Sequence, residues 1–439
     1  MSLTRYRLGE LVDVRRGTSL PGEYYSTSGS LVRLTLGNFD YANGGFKINT
    51  SKDNIYYVGD VKEEYILKQG DIITPLTEQT PGLLGSTARV PESGKYIQSQ
   101  DVALVKCDVS KIDPSFCYYL MSSQSVKKQL GAAAQQTKIR HTTPDRIKDV
   151  VVDIPSLSEQ RLIGSVLDSI NAKIDLNRSI NHYLEEMARQ QYDYWFVQFD
   201  FPDENGRPYK SSGGKMVWNE KLKREIPEGW TIISINNTCS SCRGVSYGKE
   251  DLLPNGKGVL VLRGNNIEKN HIVYDSNVAF VPYDLVSIQQ RIREGDIIMT
   301  MSSGSKEHVG KCAMFHKDSD HTYGAFLSKF TPKERMRYET FLFLTSNYFR
   351  SVITAFCNGT GINNLTNQVF DNVFMPLPTD TIMHLFESQA SSILKMVGIN
   401  EEKNEFLIKQ RDDLLPLLMS GQVSVTQLNN DLLLSYAKN

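Results

Sequence analysis

The sequence predicts an α+β fold in which two pseudo-symmetric globular α+β domains are separated by two long helices forming an antiparallel coiled coil. Three observations predict this fold. Segments of the first half recur in the second, two matched stretches carry apolar residues at heptad spacing, and each half mixes short β-rich runs with a helical stretch. The chain of 439 residues is also longer than one typical domain.

An internal repeat sets the order of the elements. Gly70-Asp71-Ile72-Ile73 recurs as Gly295-Asp296-Ile297-Ile298, and Arg16-Gly17 recurs as Arg243-Gly244. The predicted boundaries are a globular domain over 1–155, a helix over 156–197, a linker over 198–218, a globular domain over 219–378, a helix over 379–420 and a tail over 421–439. The linker is rich in Pro, Gly and Ser, so we expect it to be exposed.

Each long helix carries a stripe of residues at alternating steps of four and three, which is typical of a coiled-coil seam. The first stripe comprises Ile163, Leu167, Ile170, Ile174, Asn177, Asn181, Leu184, Ala188, Gln191 and Trp195. The second comprises Phe386, Ala390, Ile393, Val397, Asn400, Asn404, Leu407, Arg411, Leu414 and Leu418. Because the stripes match, the natural partner of each helix is the other. Pro416 is expected to kink or end the second helix near its last turn, which makes Leu418 a weak member of the stripe.

Asparagine interrupts both stripes at the same two steps. A buried asparagine costs stability unless it meets a polar partner, so these residues are predicted to pair across the seam. Antiparallel helices let Asn177 face Asn404 and Asn181 face Asn400. Parallel helices would also bring asparagines together, but would put both globular domains at one end. The alternative is that the asparagines are wet breaks in an imperfect seam.

Composition excludes several classes of protein. A content of 40% hydrophobic and 23% charged residues is ordinary for a soluble protein. No stretch of 18 apolar residues or secretory signal occurs, so we expect a cytoplasmic protein without a membrane partner. Cys239 and Cys242 form a CxxC without a second one to complete a zinc site, so reduced thiols and no metal are predicted. The net charge is −1, but both globular domains are mildly basic and the helical segments acidic.

The known signatures of catalysis are missing. The sequence contains no GxxxxGK[ST] phosphate loop, no Asn/Asp-Pro-Pro-aromatic methyltransferase signature, no GxSxG elbow and no protein-kinase set. A chain without catalysis of its own is therefore predicted, with a catalytic constellation outside these motifs as the alternative.

Positive evidence favours contact with nucleic acid. Residues 127–148 carry six cations against Asp145 alone. Within this segment lie side chains suited to base edges or phosphates, namely Gln135, Gln136, Thr137, Lys138, Arg140 and His141. The alternative is a solvated basic loop. The equivalent segment of the second half has no cation but offers Asn358, Thr360, Asn363 and Asn364. Its alternative is a Gly/Asn turn that needs left-handed residues.

Further candidates come from the repeated motifs. Arg16 and Arg243 follow apolar runs and could reach phosphate, although a surface arginine beside a turn is nearly as good an interpretation. The segments after the two Gly-Asp-Ile-Ile strands are typical of readout loops, and we select from them Gln79, Ser303 and Lys306.

Several phrases of the sequence resemble the specificity subunits of type I restriction-modification systems. They are "GAAAQQTKIRHTTPDRIKDVVVDIPSLSEQ" from Gly131, "QYDYWFVQFDFP", "GRPYKSSGGKMVWNE", "REIPEGW" and "LLPLLMSGQV". The resemblance covers essentially the whole chain. It implies that each globular domain is a target recognition domain reading one half of a split site in double-stranded DNA, and that the helices are spacers.

The resemblance also implies partners. Two methyltransferase (modification) subunits would dock on the helices, and motor-nuclease (restriction) subunits can join. S-adenosylmethionine, ATP and Mg²⁺ would be used by those partners, and no cofactor is expected in this chain. The alternatives are an orphan DNA-binding or inhibitory subunit without a functional methyltransferase partner, and a plain coiled-coil scaffold.

Overall fold

The computed structural model describes residues 2–41, 44–49, 53–78, 83–133, 140–254, 256–274, 278–360 and 364–423, with the side chains of 133 and 358–360 excepted. The chain divides into two compact units. Unit 1 comprises Met1–Asp175 and Asn404–Asn439, and unit 2 comprises Leu176–Lys403. Each unit therefore combines one globular domain with parts of both long helices, whereas the sequence predicts domains and helices as separate blocks.

The long helices are α4 and α8. They span Leu157–Tyr192, followed by a π-helical turn at Asp193–Val197, and Asp380–Met419. Helix α8 continues through Pro416 for almost one turn, and Leu418 is fully buried in the core of unit 1. The prediction that Leu418 is a weak member of the stripe is therefore wrong. The backbone stays helical past Pro416, so the Leu418 side chain still points into the core.

The described residues of unit 1 form short strands and three further helices. The strands are β1 (Thr4–Arg7), β2 (Val12–Arg16), β3 (Tyr25–Ser26), β4 (Val32–Arg33), β5 (Tyr56–Tyr57), β6 (Ile72–Pro75), β7 (Thr77–Glu78), β8 (Ala88–Arg89), β9 (Tyr96–Ile97), β10 (Val102–Cys107), β11 (Arg140–His141) and β12 (Val151–Ile154). The helices are α1 (Pro114–Met121), α2 (Gln124–Ala133) and α3 (Pro144–Lys148), with 3-10 turns at Leu8–Glu10, Gly22–Tyr24, Leu36–Asn38 and Glu63–Tyr65.

Unit 2 contains a comparable set. Its strands are β13 (Met216–Asn219), β14 (Arg224–Pro227), β15 (Thr231–Ser234), β16 (Cys239–Arg243), β17 (Val259–Leu262), β18 (Ile267–Glu268), β19 (His271–Ile272), β20 (Ala279–Val281), β21 (Ile297–Thr300), β22 (Cys312–Met314), β23 (Thr322–Tyr323), β24 (Leu327–Pro332) and β25 (Phe374–Leu377). Its helices are α5 (Ile235–Thr238), α6 (Arg337–Leu344) and α7 (Asn347–Thr360), with 3-10 turns at Gly264–Asn266, Tyr283–Leu285, Ile288–Gln290, Glu334–Met336 and Asn367–Asp371.

The predicted repeat reappears in the sheet topology. The main sheet of unit 1 has the antiparallel order β2-β10-β6-β8, and that of unit 2 has the order β16-β24-β21-β22. In each unit the strand before the long helix pairs with an early strand of the domain, as β1 with β12 and β15 with β25. A parallel pair also recurs, as β4 with β9 and β17 with β23.

The repeated Gly-Asp-Ile-Ile motif explains how each main sheet divides two cores. Successive side chains of a strand point to opposite faces. Ile72 accordingly packs with the helices of unit 1, whereas Ile73 packs into a second cluster with Leu34 and Tyr96. In unit 2, Ile297 and the neighbouring Ile298 likewise enter two different clusters. Both isoleucines are needed because both faces of the sheet are covered.

Most of the segment over 198–218 is exposed, but residues near its start pack into the core of unit 2. Phe199 and Phe201 are buried in the main core of unit 2, and Phe201 stacks on Trp230 with ring centroids 4.8 Å apart. The end of the segment pairs as β13 with β14. Composition predicts the exposure of the segment but not this anchor, which depends on the burial of two aromatic rings among the turn-forming Pro, Gly and Ser residues.

Within unit 2, α4 and α8 run antiparallel. Asn400 Nδ2 donates to Asn181 Oδ1 at 2.8 Å, and Asn181 Nδ2 donates to the carbonyl of Val397 at 3.1 Å. Further along α4, Gln191 donates to Gln389, which lies earlier on α8. Asn181 and Asn400 are both only 5% exposed, and these two bonds satisfy the acceptor and the donor of the Asn181 amide inside the seam.

The other two asparagines belong to different units. Asn177 is half-buried in unit 2 and Asn404 is buried in unit 1. In unit 1 the helices are joined by Arg411, whose Nη1 donates to Asn171 Oδ1 at 3.2 Å. The predicted facing of Asn177 and Asn404 stays a prediction.

No described helix combines the length and hydropathy that crossing a membrane requires.

We expect the single substitution Asn181→Leu to lower the free energy of unfolding by about 1–3 kcal/mol, because it leaves the buried Asn400 amide without its acceptor. Adding Asn400→Leu should restore most of that loss, since removing both partners of a buried polar pair is nearly neutral. A double-mutant cycle by urea denaturation of the full chain measures this, with Gln190→Leu on the exposed face of α4 as control. Additive losses in the double mutant would show that the amides are not coupled.

Candidate nucleic-acid interface

One edge of the main sheet in unit 1 collects several predicted residues. Strands β2 and β6 both run antiparallel to β10, so both end at the same edge. Arg16 and Thr74 lie on either side of Ala103 in register, and β7 follows immediately after β6. Arg16 and the loop after the Gly-Asp-Ile-Ile strand are thus placed at one edge by strand pairing alone.

The same edge exists in unit 2. Arg243 and Met299 lie on either side of Ser328, because β16 and β21 both pair antiparallel with β24. The loop with Ser302 and Ser303 begins just beyond this point. The repeat therefore reproduces the placement of an arginine beside a loop, and not only the core.

Both arginines are fixed by a close backbone approach at the following glycine. A Cβ at Gly17 would overlap the carbonyl of Ser99, and one at Gly244 would overlap the carbonyl of Gly324. Arg16 Nε then donates to the carbonyl of Gln100 at 2.9 Å, and Arg243 Nε donates to that of Ala325 at 3.2 Å. Each Nε is thereby tied to the backbone, while both residues are exposed and their Nη groups lie beyond this tether.

In each unit, the two loops that the sequence analysis selected as separate candidates are hydrogen-bonded to each other. In unit 1, Thr77 pairs with His141, and Thr142 N donates to the carbonyl of Leu76 at 2.9 Å. In unit 2, an antiparallel bridge joins Ser302 to Asn364. There Leu365 N donates to the carbonyl of Met301 at 2.7 Å. The segment after α2 in unit 1, and the segment after α7 in unit 2, is thus hydrogen-bonded to the segment after the Gly-Asp-Ile-Ile strand.

Arg140 makes contacts inside the fold, and its assignment to DNA contact stays a prediction. Its Nη1 lies 3.1 Å from Oε1 of Glu78, a carboxylate that is only 1% exposed, and its Nη2 donates to the carbonyl of Gly131. Glu78 Oε2 accepts from the backbone N–H groups of Leu83 and Leu84 at 2.7 and 2.9 Å. Arg140 therefore neutralises a buried carboxylate and ties β7 to β11, which commits it internally. The adjacent His141 is exposed.

An arginine that sequence reasoning missed shapes the loop of unit 2. Arg350 on α7 donates to the carbonyls of Lys306 at 3.2 Å and Glu307 at 2.9 Å, and also to that of Val309. It thus holds the loop that carries Lys306 and Ser303. Ser303 Oγ accepts from Ser305 N at 3.3 Å, while Lys306 and Asn364 are exposed. The available signal was the repeat, which aligns Arg350 with the basic segment of the first half at Lys127.

The remaining candidates lie outside what the structure describes. Those outside the described residues are Gln79, Gln135, Gln136, Thr137, Lys138 and Asn363. Asn358 and Thr360 fall in α7, where only the backbone is described. These eight assignments stay predictions.

The described residues contain no group of three or more His, Cys, Asp or Glu side chains arranged to hold a metal ion. Cys239 is buried, which raises the pKa of its thiol to about 11, and Cys242 is half-buried. In this part of the chain, the chemistry on offer at the sheet edges is that of arginine, lysine, imidazole, amide and hydroxyl groups. Such groups contact phosphates and base edges.

Comparisons with known proteins agree with this chemistry. Residues 3–186 match the family model described as type I restriction modification DNA specificity domain. Over 41% of its length the chain is 31% identical to the type I restriction enzyme EcoKI specificity subunit of Escherichia coli (strain K12), covering 39% of that protein. It is 22% identical to the HindI specificity subunit of Haemophilus influenzae over 81% of this chain and 87% of that one.

A solved structure shares the fold. The S subunit of a type I restriction-modification system from M. genitalium superposes with a TM-score of 0.54 at 15% identity, covering 95% of this chain and 96% of that one. The family-model match over residues 3–186 and the similarity to these relatives support the resemblance to the specificity subunits of type I restriction-modification systems. In the match with the EcoKI subunit, and in a 28% identical match with the StySPI specificity subunit of Salmonella potsdam, it spans less than half of the relative's length.

We expect Arg140→Met to lower the free energy of unfolding by about 3–5 kcal/mol, because it leaves the buried Glu78 carboxylate without its counter-charge. Adding Glu78→Gln should recover a large part of the loss. Lys128→Met, which removes an exposed cation from α2, should change stability by less than about 0.5 kcal/mol. Urea denaturation measures all three. If Arg140→Met were as mild as Lys128→Met, the ion pair would not be what fixes β11 on β7.

Proposed function

We propose that this chain is the non-catalytic subunit that recognises the DNA sequence for a type I restriction-modification complex, reading a bipartite target with one half-site per unit. One observation carries the proposal. In both units an exposed arginine and two hydrogen-bonded loops emerge at the same edge of the main sheet. Rigid strands holding variable polar loops are the usual way in which a scaffold presents binding residues.

The two edges offer different chemistry, which supports two different half-sites. Among the described residues, unit 1 presents His141, and unit 2 presents Ser303, Lys306 and Asn364. Amides suit adenine, cations suit guanine or phosphate, and hydroxyls suit several bases. Arg16 and Arg243, tethered through Nε, can each turn an Nη group to a phosphate, which positions a reader without specifying sequence.

The paired helices serve as the spacer in this proposal. Helix α8 has 40 residues and therefore spans roughly 60 Å, long enough to separate contacts on successive turns of DNA about 34–36 Å apart. A slipped pairing would leave the amides of Asn181 and Asn400 buried and unsatisfied. The asparagines thereby favour one register, and the register would set the gap between the half-sites.

An exposed apolar stripe on α4 supports docking of the methyltransferase subunits. Its members follow one another at steps of four and three, and their exposed fractions are 59%, 39%, 72% and 49% for Leu176, Ile180, Tyr183 and Met187. A helix with such a face is expected to bury it against a partner. The methyltransferase and motor-nuclease subunits would then supply catalysis with S-adenosylmethionine, ATP and Mg²⁺.

The reading function predicts separable half-sites. Adenine-methylation mapping of host DNA, with the chain and its methyltransferase subunits expressed together, should give a two-part motif. His141→Ala should relax or change only one part, by about 1–3 kcal/mol of discrimination, and Asn364→Ala only the other. His384→Ala and Asn205→Ala, which alter exposed residues elsewhere, should leave the motif unchanged.

The same experiment can reject the proposal. Either substitution changing both parts of the motif would contradict independent readers. Purified chain incubated with DNA, S-adenosylmethionine, ATP and magnesium should neither methylate nor cleave, and specific methylation by the chain alone would contradict the non-catalytic role. Specific DNA binding without any methyltransferase partner would identify an orphan or inhibitory subunit instead.

The docking face is tested by Tyr183→Asp. A charge at this exposed aromatic position should weaken co-purification with the methyltransferase subunit by tenfold or more, as loss of an aromatic anchor typically does. Thermal stability of the isolated chain should hardly change, because Tyr183 is 72% exposed. Lys173→Asp, which changes another exposed residue on the same helix, is the control. Equal co-purification of both variants would remove the stripe from the interface.

A further inference from the structure

A half-buried charge cluster joins the second globular domain to both long helices within unit 2. His271 Nε2 lies 3.0 Å from Glu185 Oε1 on α4, and His271 Nδ1 lies 2.7 Å from Glu401 Oε1 on α8. The imidazole is thus held between two carboxylates, one from each helix. No element of the proposed reading edge or of the docking stripe uses these residues.

The hairpin that carries His271 is a rigid support. Strands β18 and β19 are joined by the two residues Lys269 and Asn270, which both have positive φ, at 49° and 67°. A two-residue turn with two positive φ values matches the twist of the paired strands and fixes their register. Glu268 pairs with His271 directly across the turn. The imidazole therefore projects from a defined backbone position and not from a long loop.

The geometry requires a protonated ring. A neutral imidazole has one donor and one acceptor nitrogen, and its acceptor would face a carboxylate, whereas an imidazolium donates from both nitrogens. Burial alone would lower the pKa of His271, but the hydrogen bonds and charges of Glu185 and Glu401 outweigh it and raise the pKa to about 10.

One further histidine faces the same carboxylate. His316 Nε2 lies 3.9 Å from Glu401 Oε2, and burial lowers the pKa of His316, with Glu185, Glu294 and the charged His271 also acting on it. His316 is therefore neutral at pH 7. His271 is the cation that forms ion pairs with the two carboxylates of the cluster.

The cluster lies beside the asparagine pair of the seam. Glu185 follows Asn181 by one helical turn, and Glu401 is the residue next to Asn400. Because both carboxylates are set by the register of α4 against α8, the imidazolium can contact both only in that register. Hairpin, helix α4 and helix α8 are therefore fixed by one side chain.

We propose that His271 is a positioning residue that clamps the second recognition domain to both helices, so that reader and spacer keep one relative placement. This inference rests on the proposed function for its effect on DNA, where the clamp would keep the gap between half-sites strict. It does not require His271 to touch DNA. Unit 1 fixes its domain differently, with Arg89 Nη1 at 2.8 Å from Asp168 Oδ1.

The first test uses the full chain without DNA. The raised pKa means that the clamp stabilises fully below pH 6.5, the ordinary value for histidine, and that this stabilisation fades as pH rises through about 10. The Tm difference between the wild-type chain and His271→Gln should therefore be largest near pH 6 and shrink toward pH 10. His321→Gln, which changes a histidine bonded to Tyr274 in the same domain, should give no such trend.

Hydrogen exchange gives a second reading on the same samples. Amides of the hairpin 267–272 should exchange about tenfold faster or more in His271→Gln, whereas His271→Lys, which keeps the charge, should retain most of the protection. Glu401→Gln removes one carboxylate without altering the sequence of the hairpin. This variant replaces His271→Gln in the exchange experiment if His271→Gln folds poorly. A pH-independent Tm difference with unchanged protection would overturn the clamp.

The final test is the methylation map of the assembled complex. We expect His271→Gln to keep both half-site sequences but to accept gaps one base pair longer or shorter, and His271→Lys to restore the strict gap. A wild-type complex without a two-part motif would reject the proposed function, and the exchange data would still decide the clamp. A two-part motif with the same strict gap in His271→Gln, or a changed half-site sequence, would overturn the positioning role.

Discussion

Two asparagine amides buried side by side between α4 and α8 are the constraint on which unit 2 depends. Asn400 donates to Asn181, and Asn181 donates to the carbonyl of Val397, so moving either helix by one step along the seam would break both bonds. An unsatisfied buried amide costs about 1–3 kcal/mol, whereas leucine at the same positions would tolerate sliding. The polar pair therefore exchanges some packing energy for a defined register, on which the contacts of Glu185 and Glu401 with His271 also rely.

The duplication preserves a way of building an edge and not a set of binding side chains. The glycine that lets the backbone approach closely, the Nε tether of the preceding arginine and the pairing of two loops recur in both units. The groups displayed on that edge differ, with imidazole in one unit and amide, hydroxyl and ammonium in the other. Such a division is what independent readers require, since the loops can vary while the strands that hold them stay fixed.

Sequence reasoning reached the features that rest on periodicity and repetition. Repeats and heptad spacing are visible in the sequence alone. They predict the order of domains and helices, the asparagines in the seam and the two candidate loops. Sequence reasoning could not reach the contacts that a residue makes with a partner far away in the sequence. Nothing near Arg140 in sequence marks the buried Glu78, and Phe199 and Phe201 appear as linker residues until Trp230 stands beside them. His271 likewise depends on two helices far away in the chain, so no local pattern announces it.

Under the proposed function, the chain would read DNA with a net charge of only −1. Several of its cations form ion pairs within the fold. Arg140 pairs with Glu78, Arg89 pairs with Asp168, and His271 pairs with two carboxylates. General attraction to phosphate grows with the number of exposed cations and is insensitive to sequence. A chain whose cations form internal ion pairs therefore has only a weak general attraction to phosphate. Under the proposed function, discrimination between bases then falls to a few polar groups at the two sheet edges, and most of the affinity falls to the assembled complex.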